Sequence, residues 1–295
     1  MLQKSSQLSG KGILLLIGLS IGWGINWPIM KTILEELPPL SFRGFCLFFA
    51  GLGILALARY SGESIKIPRS YFAKVLCICC LDILLWNILA TYGLSMLPAG
   101  RAAMLGYTMP IWGIVLSAWI LKENFTWRSG VGLALGIVGI FLLMSDSLAG
   151  IANAPVGAFL MIISAITGAL GMIFLKKWNI PMRTMALTGW LLLLASVPLL
   201  LGAVFVDGMP SLPLSTFTVW GLVYNVLIGF MFGYWAWNKL VLILPISVSS
   251  LSSLLTPLIG VISSVVLLHE KSGVSDWVAV ALILGAIWVV NSKSN

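Results

Sequence analysis

An acid set in the middle of a long apolar run is the first residue of this chain that could do chemistry. Of the nine acidic residues, only Asp82 lies well inside such a run, about ten residues from its start; the others fall near segment ends or in loops. An ionisable group there faces a bundle interior or a wet cavity, where it can hold a substrate or carry a proton. On a helix Asp82, Trp86 and Ala90 share one face and Asn87 stands close beside it, which offers a polar group, an indole and room for a ligand. The rival reading is a packed residue hydrogen-bonded to a neighbouring helix.

Aromatic and amide side chains extend the candidate set. Trp23 and Trp27 are one turn apart with Asn26 between them, Tyr234 and Asn238 are one turn apart, and Tyr107 and Trp235 lie deep in their segments. Ligand pockets favour aromatics with a few polar groups among them, and plain packing is the competing reading for each. Trp127, Trp178, Trp220 and Trp277 sit at segment ends and read as an interfacial belt.

Other chemistries find little support. His269 is the single histidine, and Gly273 stands where a zinc motif needs a second ligand. Cys77, Cys79 and Cys80, with Cys46, have no paired metal-ligand spacing and read as small core residues. Neither metal nor cofactor is expected, and an enzyme is disfavoured for want of a catalytic cluster. Glu123 and Glu270 read as helix-junction hydrogen bonds, and Arg101 as snorkelling to headgroups rather than meeting a substrate carboxylate.

The elements that must position these residues follow from composition. Of 295 residues 60% are hydrophobic and 9% charged, far below the quarter or so of a soluble domain. Ten stretches approach the roughly 20 apolar residues of a membrane span: Gly12–Ile33, Leu40–Ala58, Phe72–Leu94, Ala99–Leu121, Trp127–Met144, Pro155–Leu175, Thr184–Phe205, Phe217–Leu240, Ile246–Leu268 and Val274–Val290. The first resembles a signal peptide but is long for one and lacks a small-residue cleavage site, so it reads as a retained helix. The net charge of +8 is scattered between apolar runs rather than clustered, which argues against nucleic acid. With the N-terminus inside, only Lys31, Arg43, Arg101 and Lys271 of the seventeen Lys and Arg fall outside, so both termini are expected in the cytoplasm.

The stretch Pro98–Glu123 recurs 147 positions later as Pro245–Glu270: Pro110 meets Pro257, Gly113 meets Gly260 and Ser117 meets Ser264. Two halves are therefore expected, 1–149 and 150–295, with five helices each. An odd number sends the second half into the membrane from the opposite side, giving inverted repeats around a central site. Small residues flank the prolines, Gly106 before Pro110 and Ser253 before Pro257, so these segments read as close-packed walls that hinge or gate. Under the same offset Asn87 maps to Tyr234 and Asp82 to Gly229, so the site itself is asymmetric.

The five-helix unit, the Gly-Trp-Gly-x-Asn-Trp-Pro run of the first helix, and the endings Leu121–Glu123 and Leu268–Glu270 resemble the EamA-type transporters of the drug/metabolite transporter superfamily over essentially the whole chain. The resemblance implies an all-α secondary transporter of the bacterial inner membrane, often an exporter of amino acids, related metabolites or drugs; the aromatic richness is similar to YddG-like amino acid exporters. The expected protein is a monomer in a lipid bilayer that moves an amino acid-like small molecule by alternating access, with proton coupling or facilitation both open. A multidrug or other metabolite exporter of the same fold is the alternative. A channel would want a polar pore stripe, which the aromatic and apolar deep positions do not offer.

Overall fold

The computed structural model describes residues 10–120, 127–147, 154–208, 213–243 and 246–291. Among them every regular element is a helix, the one open-ended way for a chain in lipid to satisfy its own backbone. In order they are α1 (Gly10–Glu36), α2 (Pro39–Tyr60), α3 (Arg69–Met96), α4 (Ala99–Gly106), α5 (Met109–Ile120), α6 (Trp127–Ser147), α7 (Ala154–Trp178), α8 (Thr184–Asp207), α9 (Thr216–Leu242), α10 (Ile246–Leu268) and α11 (Val274–Asn291). Six of them, α1, α2, α3, α7, α8 and α9, are long and apolar enough to cross a membrane.

Among the described residues, helix occupies each of the ten expected stretches, with one correction. The stretch Ala99–Leu121 is not a single kinked helix but two, broken at Tyr107 and Thr108. Pro110 has no N–H to offer the carbonyl of Gly106. The chain tightens instead: the Thr108 N–H donates to the Leu105 carbonyl at 3.2 Å and its hydroxyl to the same oxygen at 2.6 Å. The repeat partner α10 keeps Pro257 inside one continuous helix. The side chains of Pro110 and Ser253, and all of Glu123, lie outside the described residues.

The outer surface is apolar where a soluble protein would be charged. Ile17, Ile21, Phe45, Phe49 and Phe205 all point outward, as a bilayer requires. Trp127, Trp220 and Trp277 are exposed as well, whereas Trp178 stacks on Phe174 at 4.7 Å. Helices meet through small residues. Gly44, Gly51 and Gly189 face Leu200, Leu193 and Leu55 across α2 and α8, so one numbering falls as the other rises and the two helices run antiparallel. A Cβ on Gly51 would stand 2.7 Å from the Leu193 nitrogen, so only glycine allows this crossing. The other broad contacts are α6 with α11, α1 with α10, and α3 with α7.

One end of the bundle is tied by charge-assisted bonds. The Lys31 ammonium donates to the terminal carbonyls of α3, Leu94 at 2.9 Å and Ser95 at 3.0 Å. The Asp207 carboxylate accepts from the Ser41 N–H and hydroxyl at 2.6 and 2.8 Å, and Glu36 accepts from the Ser215 N–H at 2.9 Å. The snorkelling expected of Arg101 is corrected: its Nε pairs with Asp276 at 2.9 Å, because α4 and α11 begin side by side here. Glu270 accepts from the N–H groups of Ala99 and Gly100 at 2.6 and 3.1 Å, the helix-junction bond expected of it.

Candidate functional site

Two stretches of widened helix build the centre of the bundle. Within α3, Cys79–Leu85 is π-helical, and within α9, Asn225–Phe232 is π-helical. Shifted by 147 the first falls on 226–232, so both halves widen at equivalent places. A π turn re-aims side chains and is frequent at functional sites. Here Asp82 from one, and Gly229 and Phe230 from the other, line a single central cavity.

That cavity collects most of the candidates read from the sequence. Trp23, Asn26, Trp27, Asp82, Trp86, Asn87, Tyr107 and Tyr234 all line it, as does Gly106 of the break between α4 and α5. The Asn87 amide donates to the Ile83 carbonyl at 2.7 Å and to the Tyr234 hydroxyl at 3.1 Å, so a residue bonds directly to its own repeat equivalent. The Trp23 indole N–H donates to the Gly229 carbonyl at 2.9 Å, inside the second π stretch. Its ring meets Tyr234 edge-on at 5.7 Å, Tyr234 stacks on Phe230 at 5.6 Å, and Trp27 meets Tyr107 edge-on at 6.2 Å. These edge and stacked contacts fix the aromatic wall in place.

Two candidates fall elsewhere. Trp235 turns away from the cavity and lies under the Lys239 ammonium at 4.9 Å. Asn238 donates to the Thr188 hydroxyl on α8 at 2.9 Å. In their place the cavity takes Phe230 and Trp237, one helical turn to either side of Tyr234, together with Met30, Met109 and Thr256.

The charged pair in the cavity is Asp82 and a residue the sequence reading had counted only for orientation, Arg43. Asp82 is 6% exposed and makes no hydrogen bond or ion pair among the described residues, and its Oδ2 is sealed without a partner. Arg43 is 4% exposed; its Nε donates to the Thr91 hydroxyl at 2.7 Å and its Nη2 to the Met30 sulfur at 3.0 Å. A signal for it was present, since it stands inside the apolar stretch Leu40–Ala58, and an ionised group within a span marks a functional site. No cluster of His, Cys, Asp or Glu that could hold a metal is found among the described residues.

The wall supports a separable expectation for the two tryptophans. Trp86 packs its six-membered ring against Gly168 on α7, so Trp86→Ala should weaken ligand binding about tenfold, the scale of one truncated buried aromatic contact. Trp235→Ala should stay within about twofold. Half-saturation concentrations of the two variants, measured side by side, check this ordering.

Comparison with known proteins extends over almost the whole chain. Residues 10–145 and 155–292 each match the family described as the EamA-like transporter family. The Bacillus subtilis (strain 168) protein named "Uncharacterized transporter YoaV" is 25% identical over 284 residues, which cover 95% of this chain and 94% of the relative. The Escherichia coli (strain K12) "Probable amino-acid metabolite efflux pump" is 25% identical, with 94% and 93% covered. The "Uncharacterized inner membrane transporter YedA" of the same strain is 27% identical, with 93% and 89% covered. A solved crystal structure of a protein shares the fold, with a TM-score of 0.71 at 15% identity over 95% of this chain and 96% of its own.

Proposed function

Since the chain belongs to the EamA-like transporter family, we propose that it exports amino acids or closely related small metabolites through its central cavity. Two five-helix halves, meeting near 149 and 150, cross the inner membrane ten times in all and rock about that cavity, with both termini in the cytoplasm. The observation that carries this reading is the bond between Asn87 and Tyr234, 147 residues apart. A residue touches its own repeat equivalent only beside the axis that relates the halves, which is where alternating access needs its binding site. The antiparallel crossing of α2 and α8, themselves repeat equivalents, supports an axis in the membrane plane.

The substrate class rests on the lining and on a relative. Indoles, phenols and two opposite charges suit a small amphipathic zwitterion, and a 25% identical relative carries the name of an amino-acid metabolite efflux pump. Asp82 is the acid placed to exchange a proton, and it works within a monomer.

Purified protein in liposomes preloaded with an unlabelled amino acid should take up the labelled one by saturable counterflow. Linear, non-saturable flux would point to a channel, and no flux for any amino acid would sink the proposal. Asp82→Asn should remove the response to a pH gradient while counterflow persists; an unchanged response takes the proton role from Asp82.

A further inference from the structure

We infer that Arg43 receives the carboxylate of the transported molecule, so that the cavity takes carboxylate-bearing amphipathic substrates and discriminates against their uncharged or amine-only counterparts. The inference rests on the reading of the cavity as a transport site and names the group on the substrate that the site is built to hold.

Elsewhere in this protein, cations drawn into the bundle find oxygen acceptors. Lys31 reaches two helix-terminal carbonyls, and Arg101 has the Asp276 carboxylate. Arg43, far more buried, has neither. Among the described residues it makes no ion pair, and its acceptors are one hydroxyl and one thioether sulfur, the latter a weak acceptor. A guanidinium has five N–H donors in one plane. Nη1 makes no hydrogen bond among the described residues, yet it is not one of the buried atoms sealed off from space. The side chain lines the cavity, so this free edge of the fork is available to it.

Leaving a charge buried and uncompensated is strongly destabilising, and such a group inside a span marks a functional site. The position is also held firmly. The Phe42 and Phe230 rings lie 4.9 and 5.2 Å from the guanidinium carbon, and Thr91, itself anchored to the Asn87 carbonyl at 2.6 Å, fixes Nε. Rings on its flanks and a hydroxyl on one edge leave the in-plane N–H groups for a planar oxyanion, the geometry in which arginine binds carboxylates. Phe230 continues into the aromatic wall through its stack on Tyr234, so an apolar body attached to that carboxylate meets rings at once. Asp82, on the same cavity and unpaired with Arg43, sets the opposite charge apart from the anion end and keeps the cavity from being uniformly cationic.

The test uses three probes of one shape: phenylalanine, phenylalaninamide and 3-phenylpropionate. Binding is read as ligand-induced thermal stabilisation of the full-length detergent-purified protein and as inhibition of counterflow by the same protein in liposomes. In the wild type the two carboxylates should bind about 10- to 100-fold more tightly than the amide, the scale of a lost charge-assisted contact. In Arg43→Gln this preference should collapse to near unity, while the melting temperature without ligand reports separately on folding. Arg43→Lys, with charge kept and the fork lost, should give an intermediate ratio and serves if the glutamine variant fails to fold. A purely structural arginine would lower stability and weaken all three probes alike. Equal binding of acid and amide by the wild type, binding of none of the three, or an acid preference that survives in both variants overturns the inference. Counterflow of another amino acid in any of those cases leaves the transporter reading standing, whereas absent flux for every amino acid removes that reading instead.

Discussion

Gly171→Val should leave almost no folded protein, although the substitution adds only apolar atoms to an apolar helix. Gly171 of α7 packs directly against α3 at the level of its π stretch. A Cβ there would lie 2.6 Å from the Asp82 Cα and 2.7 Å from its backbone nitrogen, and closer still to its Cβ. Real Cβ atoms do not approach so closely, and the obstacle is helical backbone, which cannot swing aside as a side-chain tip can. The two helices would have to part by about an ångström along a contact that also carries Trp86 on Gly168 and Met161 on Gly93. Overpacking of a side-chain contact costs about 1–3 kcal/mol. A backbone clash that unseats a whole helix pair should exceed that, against a total stability of about 5–15 kcal/mol for a typical protein. Gly285→Ala is the matched control, since nothing lies within 4 Å of a Cβ at that position. Yield and monodispersity on size exclusion, with thermal unfolding of whatever is recovered, should separate the two; a Gly171→Val protein melting like the wild type would refute this account of the contact.

The same contact explains what could and could not be read in advance. Asp82, Trp86, Asn87 and the tryptophans of α1 were legible because their chemistry is out of place in lipid, whatever the backbone does. The offset of 147 was legible because matched prolines, glycines and serines survive as letters. The π stretches were not, since widening a helix needs no particular side chain, and its effect appears only as a shift in which residues share a face. In the second half, turn-counting paired Asn238 with Tyr234 and depth brought in Trp235, but the wall is formed by Phe230, Tyr234 and Trp237, while Asn238 reaches Thr188. Arg43 reads in the sequence as a cation near a segment end, a topology signal, and only its packing between Phe42, Phe230 and Thr91 reveals that it turns inward. The break between α4 and α5 was half legible. Pro110 announced a disturbance, but Pro257 announced the same one in α10, where the helix continues.

Glu270→Ala should open the tied end of the bundle. The helix α4 begins at Ala99 behind Pro98, which offers no side-chain cap, so its first N–H groups have no partner of their own. Glu270 supplies both bonds from the far half of the chain. It can do so because His269 adopts a left-handed φ of 53°, which ends α10 after Leu268 and turns the next residue back toward α4. A carboxylate at a helix N-terminus also meets the positive end of the helix dipole. Charge-assisted bonds of this kind contribute about 1.5–3 kcal/mol each. Losing about 2 kcal/mol of closure in total would move a two-state equilibrium about 30-fold toward the open arrangement. Ala103, buried one turn below at the contact with Gly260, reports on that opening. In a background freed of Cys46, Cys77, Cys79 and Cys80, an Ala103→Cys probe should react with an impermeant maleimide several times faster when Glu270→Ala is present. Glu270→Gln, which keeps an acceptor oxygen but loses the charge, should fall between. With both termini in the cytoplasm, as proposed, this end faces outside the cell, so labelling should be seen in right-side-out vesicles and be weak in inverted ones. Equal labelling rates with and without Glu270 would mean that the two bonds cap α4 without holding the halves together.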